Sequence, residues 1–232
     1  MGRSGHPGIG INKLNNRHMG LNCGCPSAAS LSSLTLGECK ESFGQLQKVI
    51  FQRINSADGK VTISGTVLAA KASMAALKTA ADSTKIVVSP YIQNPTTEPG
   101  AARTFGGGNQ TLGGVEIIIG REGTNFTGMI YQESQSVIET LKGYMCENIG
   151  VYLIDENGNI GALLDHTDTS GQTTTKYYAP IPIGKFFVGD KKLGGFEEVD
   201  SNEISWAFYP NWSDKFEIVK QSGFDYNPLT DL

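Results

Sequence analysis

Acid–base or metal chemistry in this chain would have to start from three histidines, and two of them, His6 and His18, stand in a glycine-rich N-terminal stretch. The third, His166, lies beside Asp165 and close to Asp168. An imidazole with two carboxylates can ligate a divalent transition metal or act as a general base, although polar loops more often produce such triplets as solvated surface. Cys23, Cys25 and Cys39, with His18 as a conceivable fourth ligand, supply zinc-type donors. The spacing matches no familiar zinc pattern, and reduced thiols in an arm are the commoner reading. Asp155 to Asn159 resembles a calcium loop in composition but lacks the EF-hand spacing and its terminal Glu, so it reads as a hairpin turn. Glu197 and Glu198, followed by Asp200 and Glu203, read as a solvated acidic loop, since neighbours on an extended chain face opposite ways. Cys146, after an apolar helix face with Lys142 as its nearest cation, is expected to be an inert, partly buried thiol. The triple glycine at 106–108 precedes neither a Gly-Lys-Ser/Thr nor a helix, so it is not a phosphate loop. No nucleophile elbow and no His-Glu-x-x-His occurs. The expectation is a protein with no catalytic, cofactor or metal site, and therefore not an enzyme.

The elements that carry these residues are mostly strands. Val115–Ile119 and Phe126–Gln132 are β-branched or aromatic runs between turn residues; Gly150–Ile154 and Ile160–Leu164 flank Glu156-Asn157-Gly158, a strong hairpin signal. Strands are also expected at 47–54, 60–67, 85–92, 178–182 and 185–188, with 204–209 and 215–220 as a final pair. Between the central strands lies an amphipathic helix, 134–145, with Ser136 and Glu139 placed for a capping box. Val137, Ile138, Leu141, Tyr144 and Met145 form its apolar stripe, so Val137, Ile138, Leu141 and Met145 are its packing residues. Alanine-rich residues 68–82 suggest a second helix, with Leu68, Ala72, Ala75, Ala76 and Leu77 on one side. Residues 93–114 read as a long loop, of a length that is usually functional or an interface. Asp165–Lys176 reads as a polar loop. Trp206, Phe208, Tyr209, Trp212 and Phe216 are either a core strand with a packed turn or, less commonly, a sugar-stacking platform.

A chain of 232 residues can bury a substantial core, and its 29 glycines point to many turns. Residues 1–45 lack apolar periodicity and read as a flexible arm, 46–223 as one β-rich domain, and 224–232 as a short tail. Arg3, Lys13, Arg17 and Lys40 against Glu38 and Glu41 leave the arm at +2 and the remainder at −6, for a total of −4. An acidic body argues against gripping phosphates. No stretch reaches the roughly 18 consecutive apolar residues of a membrane span, and no secretory signal is evident at the N-terminus.

Several stretches resemble tail tube proteins of tailed bacteriophages, of the group found in phages of gut bacteria. They are Thr-Lys-Ile-Val-Val-Ser-Pro-Tyr-Ile (84–92), Asn-Pro-Thr-Thr-Glu-Pro-Gly-Ala-Ala-Arg-Thr-Phe-Gly-Gly-Gly-Asn (94–109) and Gly-Gly-Val-Glu-Ile-Ile-Ile-Gly-Arg-Glu (113–122). The segments 144–158, 189–195 and 210–214 belong to the same likeness, as does Cys-Gly-Cys-Pro before Gly-Gln-Leu-Gln-Lys-Val-Ile-Phe. It covers most of residues 22–232, and residues 1–21 depart from it. The resemblance implies a mainly β protein with one or two helices: a sandwich or barrel with a flanking amphipathic helix, a long interaction loop and an extended N-terminal arm. It further implies a homo-oligomer of stacked, usually hexameric rings in a virion tail, made in the host cytoplasm. The rings would join other tail proteins and pass double-stranded DNA without specific binding, with no membrane partner. On that reading Asn94, Arg103, Phe105, Gly107 and Asn109 are inter-subunit contacts, and Glu116 and Glu122 are lumen candidates. The alternatives are a ring or connector protein of a short-tailed virion and a carbohydrate- or cell-surface-binding β-sandwich module built on Trp206 and Trp212.

Overall fold

The computed structural model describes residues 42–232. Cys23, Cys25, Cys39, His6, His18 and nearly all of the arm lie outside these residues. The chain is mainly β. Its described residues divide into two compact units, Ala102–Gly120 and the remainder, with Arg121–Leu232 in the second.

The larger unit begins with β1 (Leu46–Arg53), two short strands β2 (Asn55–Ser56) and β3 (Gly59–Lys60), and β4 (Ile63–Ser64). Helices α1 (Gly65–Leu68) and α2 (Lys71–Lys78) precede β5 (Ile86–Val88) and β6 (Gln93–Glu98). Among the described residues the smaller unit carries the strand pair β7 (Ala102–Gly106) and β8 (Glu116–Arg121), the last residue of β8 falling in the larger unit. After it come β9 (Thr124–Tyr131), α3 (Gln135–Gly143), β10 (Ile149–Asp155) and β11 (Ile160–Ser170). The chain ends with β12 (Thr173–Ala179), β13 (Ile181–Val188), β14 (Ser201–Phe208), β15 (Phe216–Val219) and a helical turn α4 (Pro228–Asp231).

Eleven strands form one curled sheet whose main path is β4-β12-β11-β10-β13-β14-β9-β6, with β1 and β5 joined on through β10 and β15 through β11. β10 is its keystone, because every one of its seven residues is buried. Period-2 alternation sends Ile149, Val151 and Leu153 into one apolar cluster, and Tyr152 and Ile154 into another on the opposite face. The first cluster lies between β1 and β10 on one side and β13, β14 and β9 on the other, closed by Ile138 and Leu141 of α3. The second is covered by Leu68, Met74 and Leu229 from α1, α2 and α4. A strand roofed on both faces reads as a continuous hydrophobic run, which is what Ile149–Ile154 supplies.

Several sequence expectations require correction. Residues 60–67 are not one strand, because the chain leaves extended geometry after Ser64 and turns into α1. The helix expected over 68–82 is split: Leu68 ends α1 and Met74 lies in α2, both buried, with Leu77 partly buried, whereas Ala72, Ala75 and Ala76 are exposed. Alanine there serves helix propensity, not packing. The capping box does not form: Ser134 is the N-cap without a side-chain capping bond, and Ser136 is already inside the helix, its Oγ 3.1 Å from Ser134 Oγ. Met145 does not pack with Val137, Ile138 and Leu141, because the helix tightens at Tyr144–Cys146 into a 3-10 turn and Met145 swings outward, 43% exposed. A 3-10 turn advances about three residues per turn, so the 3.6-residue stripe loses phase there. Residues 93–114 are not structureless, since they carry β6 and β7. Asp165–Lys176 is a strand hairpin, not a loop, closed through Gly171 at φ +63°. The last two strands do not pair with each other: β14 lies between β13 and β9, and β15 pairs with β11.

Candidate functional site

Around His166, the strand β11 carries a bulge: Leu164 faces Tyr178 and His166 faces Tyr177, leaving Asp165 as the extra residue. The bulge turns the Asp165 carboxylate to Lys60, with which it pairs, and to His166 Nδ1 at 2.9 Å. Hydrogen bonding to Lys60 first, and to His166 second, holds the Asp165 carboxyl below its usual range. The His166 ring stacks on Tyr177 with 4.6 Å between centroids and 9° between planes. Asp168 does not join them into a ligand set, and no three His, Cys, Asp or Glu side chains among the described residues are placed to hold a metal.

The acidic loop is an architectural device. Lys192 and Ser201 exchange backbone hydrogen bonds of 2.8 and 3.0 Å, Gly194 N donates to Asp200 Oδ1 at 2.8 Å, and Lys192 pairs with Glu198 at 2.8 Å. These contacts close the segment between β13 and β14 into a defined tip. It presents Leu193, Phe196 and Val199 to solvent, Phe196 fully.

The turn after β10 holds a carboxylate whose role the sequence reading missed. Asp155 is fully buried. Its Oδ1 accepts from Asn157 N at 3.0 Å and Asn159 N at 2.7 Å; its Oδ2 accepts from Asn159 Nδ2 at 2.9 Å and Gly44 N at 3.1 Å. Four donors on one carboxylate tie the turn to the incoming chain at Phe43–Gly44. The Asp-x-Asn-Gly-Asn spacing is the signal for the local half of this clamp, since Asp side chains bond backbone N–H groups two residues on.

Trp206 is 2% exposed and stacks on Phe126 at 3.9 Å, so it offers no face to a sugar. Trp212 is partly buried, stacked on Phe208 at 4.5 Å and edge-on to Phe216. With Phe43, Leu46 and Pro95 these rings line a pocket of about 260 Å3 at the Phe208 end of β14. A second cleft of about 220 Å3 is lined by Phe51, Lys85, Tyr144 and the Arg53–Glu147 ion pair, whose atoms are 2.8 Å apart. Cys146 is exposed, contrary to expectation, because the 3-10 turn at Tyr144–Cys146 carries it off the buried stripe.

The structure divides the proposed contact residues between the two units. Arg103, Phe105, Gly107, Asn109 and Glu116 all belong to the β7–β8 unit. Asn94 sits on β6, at φ +49°, and donates from Nδ2 to Tyr131 Oη at 3.0 Å; Glu122 lies between β8 and β9. Within the smaller unit, Gly106, Gly107 and Gly108 adopt φ of +108°, +98° and +55°. Three successive residues in that region require glycine, so the triplet serves a tight reversal. Thr111 Oγ1 accepts from Gly107 N at 3.3 Å and donates to Val115 O at 2.6 Å, fastening the tip. Phe105, Leu112, Val115, Ile118 and Ile119 are all exposed on this unit.

No helix among the described residues is long and apolar enough to cross a membrane. No protein-family model, curated protein or solved structure matches the chain.

Proposed function

We propose that this chain is a structural subunit of a bacteriophage tail tube, assembling into stacked, hexameric rings around a channel for DNA. One observation carries the reading: among the described residues, the β7–β8 unit is a two-stranded element with exposed Phe105, Val115, Ile118 and Ile119. Clustered exposed apolar side chains mark a surface made for a partner. A second copy of the same chain is the partner that explains why the element is built into every subunit. Among the described residues the end strand β6, which carries Pro95, is an open edge of the larger sheet, and ring closure would cover it. In this role the protein performs no catalysis. A lining of neutral or acidic groups, with Glu116 and Glu122 as candidates, keeps phosphates from lodging.

Negative-stain electron microscopy with light scattering across concentration tests the assembly. Rings or tubes with a central channel are expected, and Ile118→Glu together with Phe105→Glu should abolish them while leaving the body folded. Stable single rings that never stack would select the connector role. Wild-type protein that stays monomeric when mixed with tail initiator complexes would refute the proposal. Replacing Glu116 and Glu122 with lysine should slow DNA passage without affecting assembly, and unchanged passage would remove both from the lumen.

A further inference from the structure

The tip between β13 and β14 and the aromatic pocket lie at opposite ends of one strand. Ser201, where β14 starts, is hydrogen-bonded to Lys192 of the tip; Phe208, where β14 ends, lines the pocket. Seven residue steps of about 3.3 Å put roughly 23 Å between them. We infer that Phe196 is a knob that seats in the aromatic pocket of a second copy of this chain, joining copies head to tail.

Three observations support the fit. Phe196 is fully exposed, flanked by exposed Leu193 and Val199, on a loop already closed by the Lys192–Ser201 bridge and the Gly194–Asp200 hydrogen bond. A phenylalanine held out on a fixed loop loses little freedom when it docks. The pocket encloses about 260 Å3. A cavity of about 150 Å3 is enough to take up benzene. Its walls are the rings of Phe126, Phe208, Trp212 and Phe216, which offer an entering ring edge and stacking contacts.

The choice of a second copy as occupant follows from the geometry. Knob and hole stand at the two ends of β14 in one chain, so their pairing between copies is heterologous and repeats from copy to copy. This inference deepens the tube reading, on which it rests for its biological setting, by naming the contact between successive rings. A single ring-and-pocket contact buries far less than the roughly 1,200–2,000 Å2 of a stable pair. Isolated subunits would therefore join weakly, and the copies within a ring would act together.

The test uses two surface variants of the full chain. Phe196→Ala removes the knob; Thr97→Trp, at an exposed position on the pocket rim, plugs the hole. Both should keep the wild-type melting temperature. Each alone should raise the concentration needed for axial growth at least tenfold, as read by sedimentation velocity and electron microscopy. Mixing the two leaves one intact pairing, so 1:1 complexes that do not grow further are expected. Phe196-dependent association into threads without rings would retain the contact and remove the ring reading. Growth of Phe196→Ala at the wild-type concentration would overturn the inference. So would Phe196-dependent binding to phosphatidylcholine vesicles by a protein that does not self-associate.

Discussion

Replacing Asp155 with alanine removes one carboxylate and strands four donors. Two are backbone N–H groups of the turn itself, Asn157 and Asn159; one is the Asn159 side chain; the fourth is Gly44 N, 111 residues away in sequence. Leaving a buried donor unsatisfied costs about 1–3 kcal/mol. Asn157 is exposed and its N–H can turn to water, whereas Gly44 and Asn159 are only partly accessible. Charging the three less accessible donors about 1–1.7 kcal/mol each, the low end of that range because they keep some access to water, and little to Asn157 gives a loss of roughly 3–5 kcal/mol. For a chain of this size each kcal/mol lowers Tm by about 2–4 °C, so a drop of roughly 6–20 °C is expected. Asp155→Asn is the sharper control. It retains one acceptor oxygen, but its NH2 then confronts two donors, so it should recover less than half of the loss although it is nearly isosteric. Urea denaturation followed by tryptophan fluorescence reads both variants, with an unchanged m-value required for the comparison. A destabilisation below about 1 kcal/mol for Asp155→Ala would refute the clamp, since that is the net worth of one ordinary hydrogen bond.

Other outcomes follow from the same structure. Ile138→Asp places a charge where α3 meets the apolar cluster at 3% exposure and should cost about 3–5 kcal/mol by urea denaturation; a near-neutral shift would mean the helix face is misplaced. Burial first, and the adjacent Glu217 second, push the Tyr178 phenol up to about 12. A phenol raised above its unfolded value of about 10 stabilises the fold fully below pH 10 and loses that contribution as pH rises towards 12. Tyr178→Phe should remove this step from the stability–pH profile, and an identical alkaline profile would refute the assignment. Gly106→Val would set a Cβ 2.4 Å from Thr111 Cγ2 at φ +108°. It should abolish assembly while leaving the melting of the larger unit within about 2 °C, since surface changes away from a core cost little there; intact assembly would detach the hairpin from that function.

Legibility in the sequence followed the range of the forces involved. The hairpin at Glu156-Asn157-Gly158, the strands beside it and the Ile138–Leu141 stripe were legible because turn chemistry and periodicity act over a few residues. The 3-10 turn that exposes Met145 and Cys146 was not, because only packing decides where a helix tightens. The polar hairpin after Leu164 was hidden for another reason: Thr, Asp and Ser are read as loop, yet Thr is a good strand residue when both faces are wet. The pairing of β15 with β11 and the Gly44–Asp155 bond depend on long-range closure, for which no local signal exists. The aromatic stretch was legible as core, but its second role, lining a pocket with Phe43 and Pro95, needed residues from three distant segments.

The keystone position of β10 also sets a timetable for biosynthesis. Val49 pairs with Leu153 and Phe51 with Val151, so the first long strand of the body is complete only when a partner about 100 residues later has emerged. At about 5–20 residues per second, Val49, Ile50 and Phe51 wait on the order of 5–20 s for their β10 partners, with only the short strand β5 available on the other flank before then. During that interval the local hairpins form in microseconds and the central layer does not exist. The most aggregation-prone moment for this chain therefore falls before the ribosome reaches Asp155, and a holdase that recognises an extended Val-Ile-Phe segment would act in that window.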